Sequence, residues 1–444
     1  MVYGYPSGFE EVGHRRSLVT VALILVNVAV YLATSWRNSF TAISEEWLQA
    51  GAFVPALLSQ PDQWYRLFTS MFLHANLLHI FFNMLFLYFF GKHVERVLGP
   101  ANYLALYMAS GLLAEVFHTA FLPLEGETSA FIPALGASGA ISGVLGAYLL
   151  MFPGTKLSMC VFYFFIPICF TTRAYAYLIF WFATQVLQGY LGASLGVAVF
   201  AHAGGFIGGL ALLPLLLRSE RVEALRVYAS LRRFFFDVFF VKPGLSSFAK
   251  AVLTALLLSV AAGAVYSASA ASSARTVSKV LGVSVSYQDV VESESVIVQL
   301  SDGSVSFTPI TSSGVRVVVN RLSAMNLLFD EKYAGRTVSV DESRRVRVQG
   351  VPVQVQLKAQ LSYDEWGLLT SGRGSMVTDV LQCSYYGCVV GERQAFSFEA
   401  TTEKSWVGYE GIPVVELSVV SLAVCLAAIL AVARAEHYEI APSS

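Results

Sequence analysis

The chain has 444 residues, of which only 13% are Asp, Glu, Lys or Arg, against about 25% in a typical soluble protein. With 55% hydrophobic residues and a mean hydropathy of +0.61, it is neither a disordered chain nor a wholly soluble one. Its 29 basic and 30 acidic side chains leave a net charge of -1, and no basic patch points to nucleic acid.

Charge is unevenly placed. Residues 17–217 hold 13 charged side chains, and residues 272–411 hold 28. A membrane body is therefore joined to a water-exposed domain. A membrane helix needs about 20 mostly apolar residues. Leu18 to Ala33 is the first candidate, preceded by His14, Arg15 and Arg16. Because more spans follow at once, it reads as a retained helix rather than a leader. The others run over 71–90, 102–122, 136–152, 174–191 and 197–217, with isolated spans at 249–268 and 412–433. Met159 to Phe170 is apolar but interrupted by Pro167 and too short to cross. It is expected near the interface or re-entering. As a helix, Gly136 to Phe152 would be only about 25 Å long. That suits a helix starting below the surface beside a water-filled cavity.

Lys and Arg near the span ends set the orientation. Residues 218–250 carry seven basic side chains against three acidic, so this segment and both termini are expected inside. The resulting division is 1–217 membrane body, 218–248 basic linker, 249–268 seventh span, 269–411 outer domain, 412–433 eighth span and 434–444 inner tail.

In the outer domain, short alternating runs read as β-strands: Val296 to Leu300, Val305 to Phe307, Val315 to Val319, Val338 to Val340, and Val346 to Leu361. A short helix is expected around Ala324 to Tyr333. Cys383 and Cys388, in CSYYGC, are spaced to close a small disulfide loop in an oxidising compartment; two free thiols are the alternative. Cys160, Cys169 and Cys425 lie in apolar segments and read as inert.

Polar groups within a membrane body are costly and need a reason. The first set is GASGAISG, Gly136 to Gly143. Ser138 is flanked by glycines, and Gly139, Gly143 and Gly146 share a face that another helix can approach closely. Ser142 follows Ser138 by one helical turn. The second is AHAGGFIGG, Ala201 to Gly209, with His202 near the outer helix end and Gly205 and Gly209 four apart. If the two glycine faces meet, His202 reaches Ser138, and an imidazole can activate a weak hydroxyl nucleophile. The third is LHANLLHIFFN, Leu73 to Asn83. His79 and Asn83 share a helix face and carry N–H donors suited to an oxyanion, and His74 is placed to orient them. A metal reading through His74, His79 and His202 lacks a carboxylate or thiol. Glu115 and His118, three apart on the third span, are spaced to pair. No Asp or Glu accompanies Ser138 and His202 at matching depth, so together they would form a dyad.

These elements together resemble the rhomboid family of intramembrane serine proteases. The resemblance rests on GASG, on AH-x-GG-x-x-x-G two spans later and on H-x-x-x-x-H-x-x-x-N in the second span, and it covers about residues 15–217. It implies a six-helix bundle, with Ser138 as nucleophile, His202 as general base and His79 and Asn83 as oxyanion-stabilising side chains. His74 matches the first histidine of the second-helix motif. Tyr65-Arg66, preceded by Gln63, matches a tryptophan-arginine pair in the first loop. Glu95 matches an acidic residue at the inner end of the second helix. These read as scaffold. Ser142 stands where some members carry a tyrosine stacked under the histidine.

The implied fold is therefore a rhomboid-like six-helix bundle with two further transmembrane helices and an extracytoplasmic β-rich domain. The implied activity is cleavage of transmembrane protein substrates within the lipid bilayer, near the outer face of the cell membrane, without cofactor or metal. Helix 174–191 and the loop at Gly192 to Gly196 are the expected gate. The outer domain would select substrates, bind an unidentified partner or cover the site. The rival reading is a catalytically silent rhomboid-like protein that binds membrane helices. A solute transporter would need polar residues beyond Gly146 and Gly209, where the spans turn apolar.

Overall fold

The computed structural model describes residues 2–7, 17–163, 166–192, 197–218, 220–226, 244–274, 276–301, 303–348, 350–384 and 387–440. Of these, the side chains of 2–7, 127–128, 159–163, 166–170, 382–384 and 387 lie outside the description. So do the expected charges of His14, Arg15, Arg16, Arg232, Arg233 and Lys242, and the gate loop at 193–196. The chain divides into two compact units: Met1–Ser272 with Gly411–Ser444, and Ser273–Glu410.

The first unit is helical. Its main helices are α1 (Leu18–Ser35), α2 (Leu77–Leu98), α3 (Pro100–Ala120), α4 (Ser138–Met151), α5 (Ala174–Tyr190), α6 (Val199–Leu216) and α7 (Ser247–Ser273). Helix α8 (Ser313–Ala324) belongs to the second unit, and α9 (Val414–Ala433) returns to the first. By length and composition, α1, α2, α6, α7 and α9 can cross a membrane, and α4 is a shorter apolar helix. The chain is a polytopic helical membrane protein.

Helix α2 departs from the apolar span expected at 71–90. It begins after Asn76, whose side chain accepts the His79 N–H at 2.9 Å, a helix cap. It then continues past the apolar residues to include Lys92, Glu95 and Arg96. Glu95 is buried because the start of α1 supplies donors. Its carboxylate accepts the N–H groups of Val19 and Thr20, at 2.9 and 2.8 Å, and the Thr20 hydroxyl at 2.7 Å. The first N–H groups of a helix lack partners within it and favour an anion.

The segment expected to lie at the interface or re-enter forms a β-hairpin. Strand β2 (Lys156–Tyr163) pairs with β3 (Ile166–Arg173), and β1 (Val2–Ser7) adds to β2. Its β-branched and aromatic residues favour strands, and strand pairing satisfies the backbone groups of an apolar run too short to cross as a helix.

Glycines bring α4 and α6 together. A Cβ on Gly205 would strike the carbonyl oxygen of Gly139, one on Gly209 that of Gly143, and one on Gly146 that of Phe206. The glycine faces expected to meet do meet, backbone against backbone. Around them, Tyr103, Tyr107, Phe117, Tyr148, Phe200 and Phe206 are fully buried in one apolar core. Helix α9 packs on α3 and α6, with the Ser418 hydroxyl donating to Ala120 O at 3.3 Å. Helix α7 meets α5 where the Tyr190 hydroxyl donates to Ser259 O at 2.6 Å.

The second unit is a seven-stranded antiparallel sheet in the order β6-β5-β4-β10-β9-β8-β7. Its strands are β4 (Val277–Tyr287), β5 (Val290–Ser301), β6 (Ser304–Phe307), β7 (Thr337–Val348), β8 (Val351–Tyr363), β9 (Leu369–Ser384) and β10 (Gly387–Val407). The run expected as a strand at Val315 to Val319 lies in α8. Val315, Val318, Val319 and Leu322 are its buried face, at the spacing of a helix rather than a strand. The helix expected around 324–333 is reduced to one 3₁₀ turn at Glu331–Tyr333. Strand β8 buries alternate residues from Val353 to Leu361, as its pattern implies.

Candidate active site

Ser138 is the first residue of α4. Two residues earlier, Gly136 has φ +130°, a conformation open to glycine. Its N–H donates to Ser70 O at 2.9 Å. A Cβ on Gly136 would lie 2.8 Å from both Cε1 and Nε2 of His79, so the missing side chain lets this imidazole stand against the backbone leading to Ser138.

His202 lies one turn into α6, with Nε2 2.8 Å from the Ser138 Oγ. Its Nδ1 is 2.9 Å from the Gln185 Oε1 on α5. An amide oxygen only accepts, so it fixes the proton on Nδ1 and leaves Nε2 free to accept from the serine hydroxyl. The Gln185 amide nitrogen in turn donates to the Thr184 hydroxyl at 3.3 Å. Trp181, also on α5, lies beside the imidazole, with ring centroids 6.3 Å apart and planes inclined by 31°. Ser142 does not reach the imidazole; its hydroxyl donates to Ser138 O at 2.7 Å.

His79 and Asn83 line the same cavity as Ser138 and His202. The Asn83 amide donates to His79 O at 3.1 Å. His74 is fully buried, its ring edge-on to His79 at 5.1 Å and 69°. Arg66 is buried as scaffold: it donates to Gln49 O, Ala52 O and the Gln63 side chain at 2.6, 3.0 and 2.7 Å.

The cavity encloses about 810 Å³. Its wall also includes Gln185, Glu115, His118 and Glu125, which revises two expectations. Glu115 and His118 do not pair. The Ser70 hydroxyl donates to Glu115 Oε1 at 3.2 Å, and His118 Nδ1 stands 3.8 Å from Glu125 Oε2. Carboxylates do border the chamber, although His202 takes an amide as its partner. Burial lifts the Glu125 carboxyl, which lies past the end of α3, to about 7. Gln185 and Trp181 were missed by sequence reasoning; a glutamine in an apolar span was the available signal.

Among the described residues, no three His, Cys, Asp or Glu side chains are grouped to hold a metal ion. In the second unit, Cys388 is disulfide-bonded and stands opposite Cys383 in the β9–β10 register. The side chain of Cys383 lies outside the described residues, as do those of Cys160 and Cys169. Cys425 is buried and free.

Residues 61–219 match the family described as "Rhomboid domain". "Rhomboid protein 1, mitochondrial" of Saccharomyces cerevisiae is 31% identical over 167 residues, 36% of this chain and 46% of that protein. "Rhomboid protease GluP" of Bacillus subtilis is 36% identical over 112 residues, 25% of this chain and 20% of that protein. "Inactive rhomboid protein 1" of Drosophila melanogaster is 29% identical over 99 residues, 22% of this chain and 6% of that protein. The matched region thus spans less than half the length of each of these relatives. Over residues 61–219 the chain is thus similar to the rhomboid family.

Proposed function

We propose that this chain is an intramembrane serine endopeptidase acting on transmembrane segments. The observation that carries the reading is the 2.8 Å approach of His202 Nε2 to Ser138 Oγ inside a roomy cavity of a membrane bundle. Ser138 attacks the peptide carbonyl while His202 takes its proton. The oxyanion is held by His79, Asn83 and the Ser138 N–H, which at the first position of a helix has no intrahelical partner. His202 then protonates the leaving amine, and water hydrolyses the acyl-enzyme. A substrate helix hides its carbonyls in hydrogen bonds, so it unwinds before attack. It enters past α5, whose Trp181, Gln185 and Gln188 line the cavity. No cofactor takes part.

In this reading the protein sits in the cell membrane with both termini inside. The site opens to the extracytoplasmic side, and the β-rich unit is extracytoplasmic. The seven basic against three acidic side chains of 218–250 support that orientation. The sequence divisions at 217, 248, 268, 411 and 433 belong to the same proposal.

The rival reading, a silent binder of membrane helices, draws on the relative named inactive. Proteolysis in liposomes separates the two. Purified protein should cut some members of a panel of single-span reporters near the outer boundary, and Ser138→Ala should cut none while folding normally. Cleavage retained in purified Ser138→Ala would overturn the nucleophile assignment. A well-folded wild type that cuts none of the panel would favour the silent reading.

A further inference from the structure

One side of the cavity has chemistry that the dyad does not use. Glu115 is 8% exposed and His118 5%, and both line the chamber. Glu115 Oε2, both ring nitrogens of His118 and Glu125 Oε1 are buried without a hydrogen-bond partner. Among the described residues of the lining there is no Lys or Arg. Carboxylates withdrawn from water without a cation are costly.

The cluster is tied to the nucleophile. Ser70 donates its hydroxyl to Glu115 and accepts the Gly136 N–H through its carbonyl. Ala114 is the residue that a Cβ on Gly139 would meet, at 2.5 Å. Glu115 is thus adjacent to a direct neighbour of the backbone that follows Ser138. Met71 and Leu124 give this part of the chamber apolar walls.

We propose that Glu115, His118 and Glu125 form a subsite for a Lys or Arg side chain flanking the scissile bond. This rests on the protease reading given above. The apolar walls take the methylene stem, as they do for basic side chains elsewhere. The carboxylates receive the cationic head, bidentately where it is a guanidinium. Glu115 Oε2 and Glu125 Oε1, which have no hydrogen-bond partner in the chain, then gain a donor.

The test uses the full chain in liposomes and single-span reporters that differ only at the residues flanking the cut: Ala, Leu, Glu, Lys or Arg. At one flanking position, Lys and Arg should raise kcat/KM over Ala by about 10-fold or more, the scale of a buried charge-assisted hydrogen bond. Glu115→Gln with Glu125→Gln should bring the Lys-to-Ala ratio to about one. Glu125→Gln alone carries the same comparison, with a partial fall, should the double variant not fold. Lys and Arg reporters no better than Ala at either position, or a preference that survives in the variants, would overturn the subsite. Labelled reporters bound to Ser138→Ala separate this from failure of the protease reading. Even if wild type cuts nothing, the Lys reporter should bind more tightly than the Ala reporter, and that difference should vanish when the two glutamates are replaced. Equal binding overturns the subsite whatever the fate of the dyad.

Discussion

At the scale of single residues, Gln185 has the most direct expected effect on chemistry. It holds the Nδ1 side of His202, the task a buried carboxylate performs in a three-member site. Gln185→Ala should lower kcat by about 10- to 100-fold, no more than the lower end of the roughly 100- to 10,000-fold that acid–base catalysis supplies, with a smaller effect on KM. Gln185→Glu should retain more activity than the alanine variant and move the basic imidazole to a higher apparent pKa, because a carboxylate stabilises the imidazolium. A pH–rate profile of the three proteins checks this. Equal profiles for wild type and Gln185→Glu would mean that position 185 only fills space. Residue types and spacing were enough to single out Ser138, His202, His79 and Asn83 in the sequence. Gln185 was not legible in that way, because its partner is 17 positions along the chain and on another helix.

At the scale of elements, the α4–α6 contact depends on glycine where carbonyl oxygens fill the space of a side chain. Gly209→Ala would press a methyl against Gly143 O. Overpacking against backbone costs about 1–3 kcal/mol, so its melting temperature in detergent should fall clearly. Gly208→Ala meets the flexible end of Leu113 at 2.8 Å and should fall less. A ranking with Gly208→Ala the more damaged would contradict this picture of the interface.

In the β-rich unit, two carboxylates of β5 hold the start of α8. Glu292 accepts from Gly314 N–H at 2.7 Å and from the Tyr287 and Ser313 hydroxyls. Glu294 accepts the Thr311 and Ser312 N–H groups at 2.9 and 2.8 Å. The Tyr287 hydroxyl leads the interactions that lower the Glu292 pKa. For Glu294 the backbone and hydroxyl donors outweigh an opposing desolvation, and its pKa is lowered too. A carboxylate with a depressed folded pKa stabilises above its unfolded value, here 4.5, and loses that contribution as pH falls through the folded value. Acid unfolding of this unit should therefore steepen below about 4.5. Glu292→Gln with Glu294→Gln should flatten that dependence, as read by circular dichroism. The helix itself was misread as a strand because a short valine-rich run satisfies both periods until its partners are known.

At the scale of the whole molecule, the chain enters and leaves the β-rich unit side by side: Gly408 N–H donates to Thr276 O at 2.6 Å. The unit has its own apolar core. Residues 276–408 should therefore melt cooperatively when expressed alone. Replacing them with a short Gly/Ser linker should leave the membrane unit folded. Cleavage of a reporter panel by that shortened protein then tests the unit's role. Loss of some substrates and not others would indicate selection, and uniform cleavage would argue against selection and against a cover over the site.

The sequence by itself determined the membrane class, the β-rich insertion and the family motifs. Composition and hydropathy are summed over many residues, and the motifs are local. It also pointed to the opposed glycine faces, because their spacing follows directly from helix geometry. Only the tertiary structure decided which amide steadies His202, where Glu115, His118 and Glu125 gather, and why Glu95 can be buried. Each of these depends on side chains from separate helices reaching one place. A linear pattern carries no record of that distance.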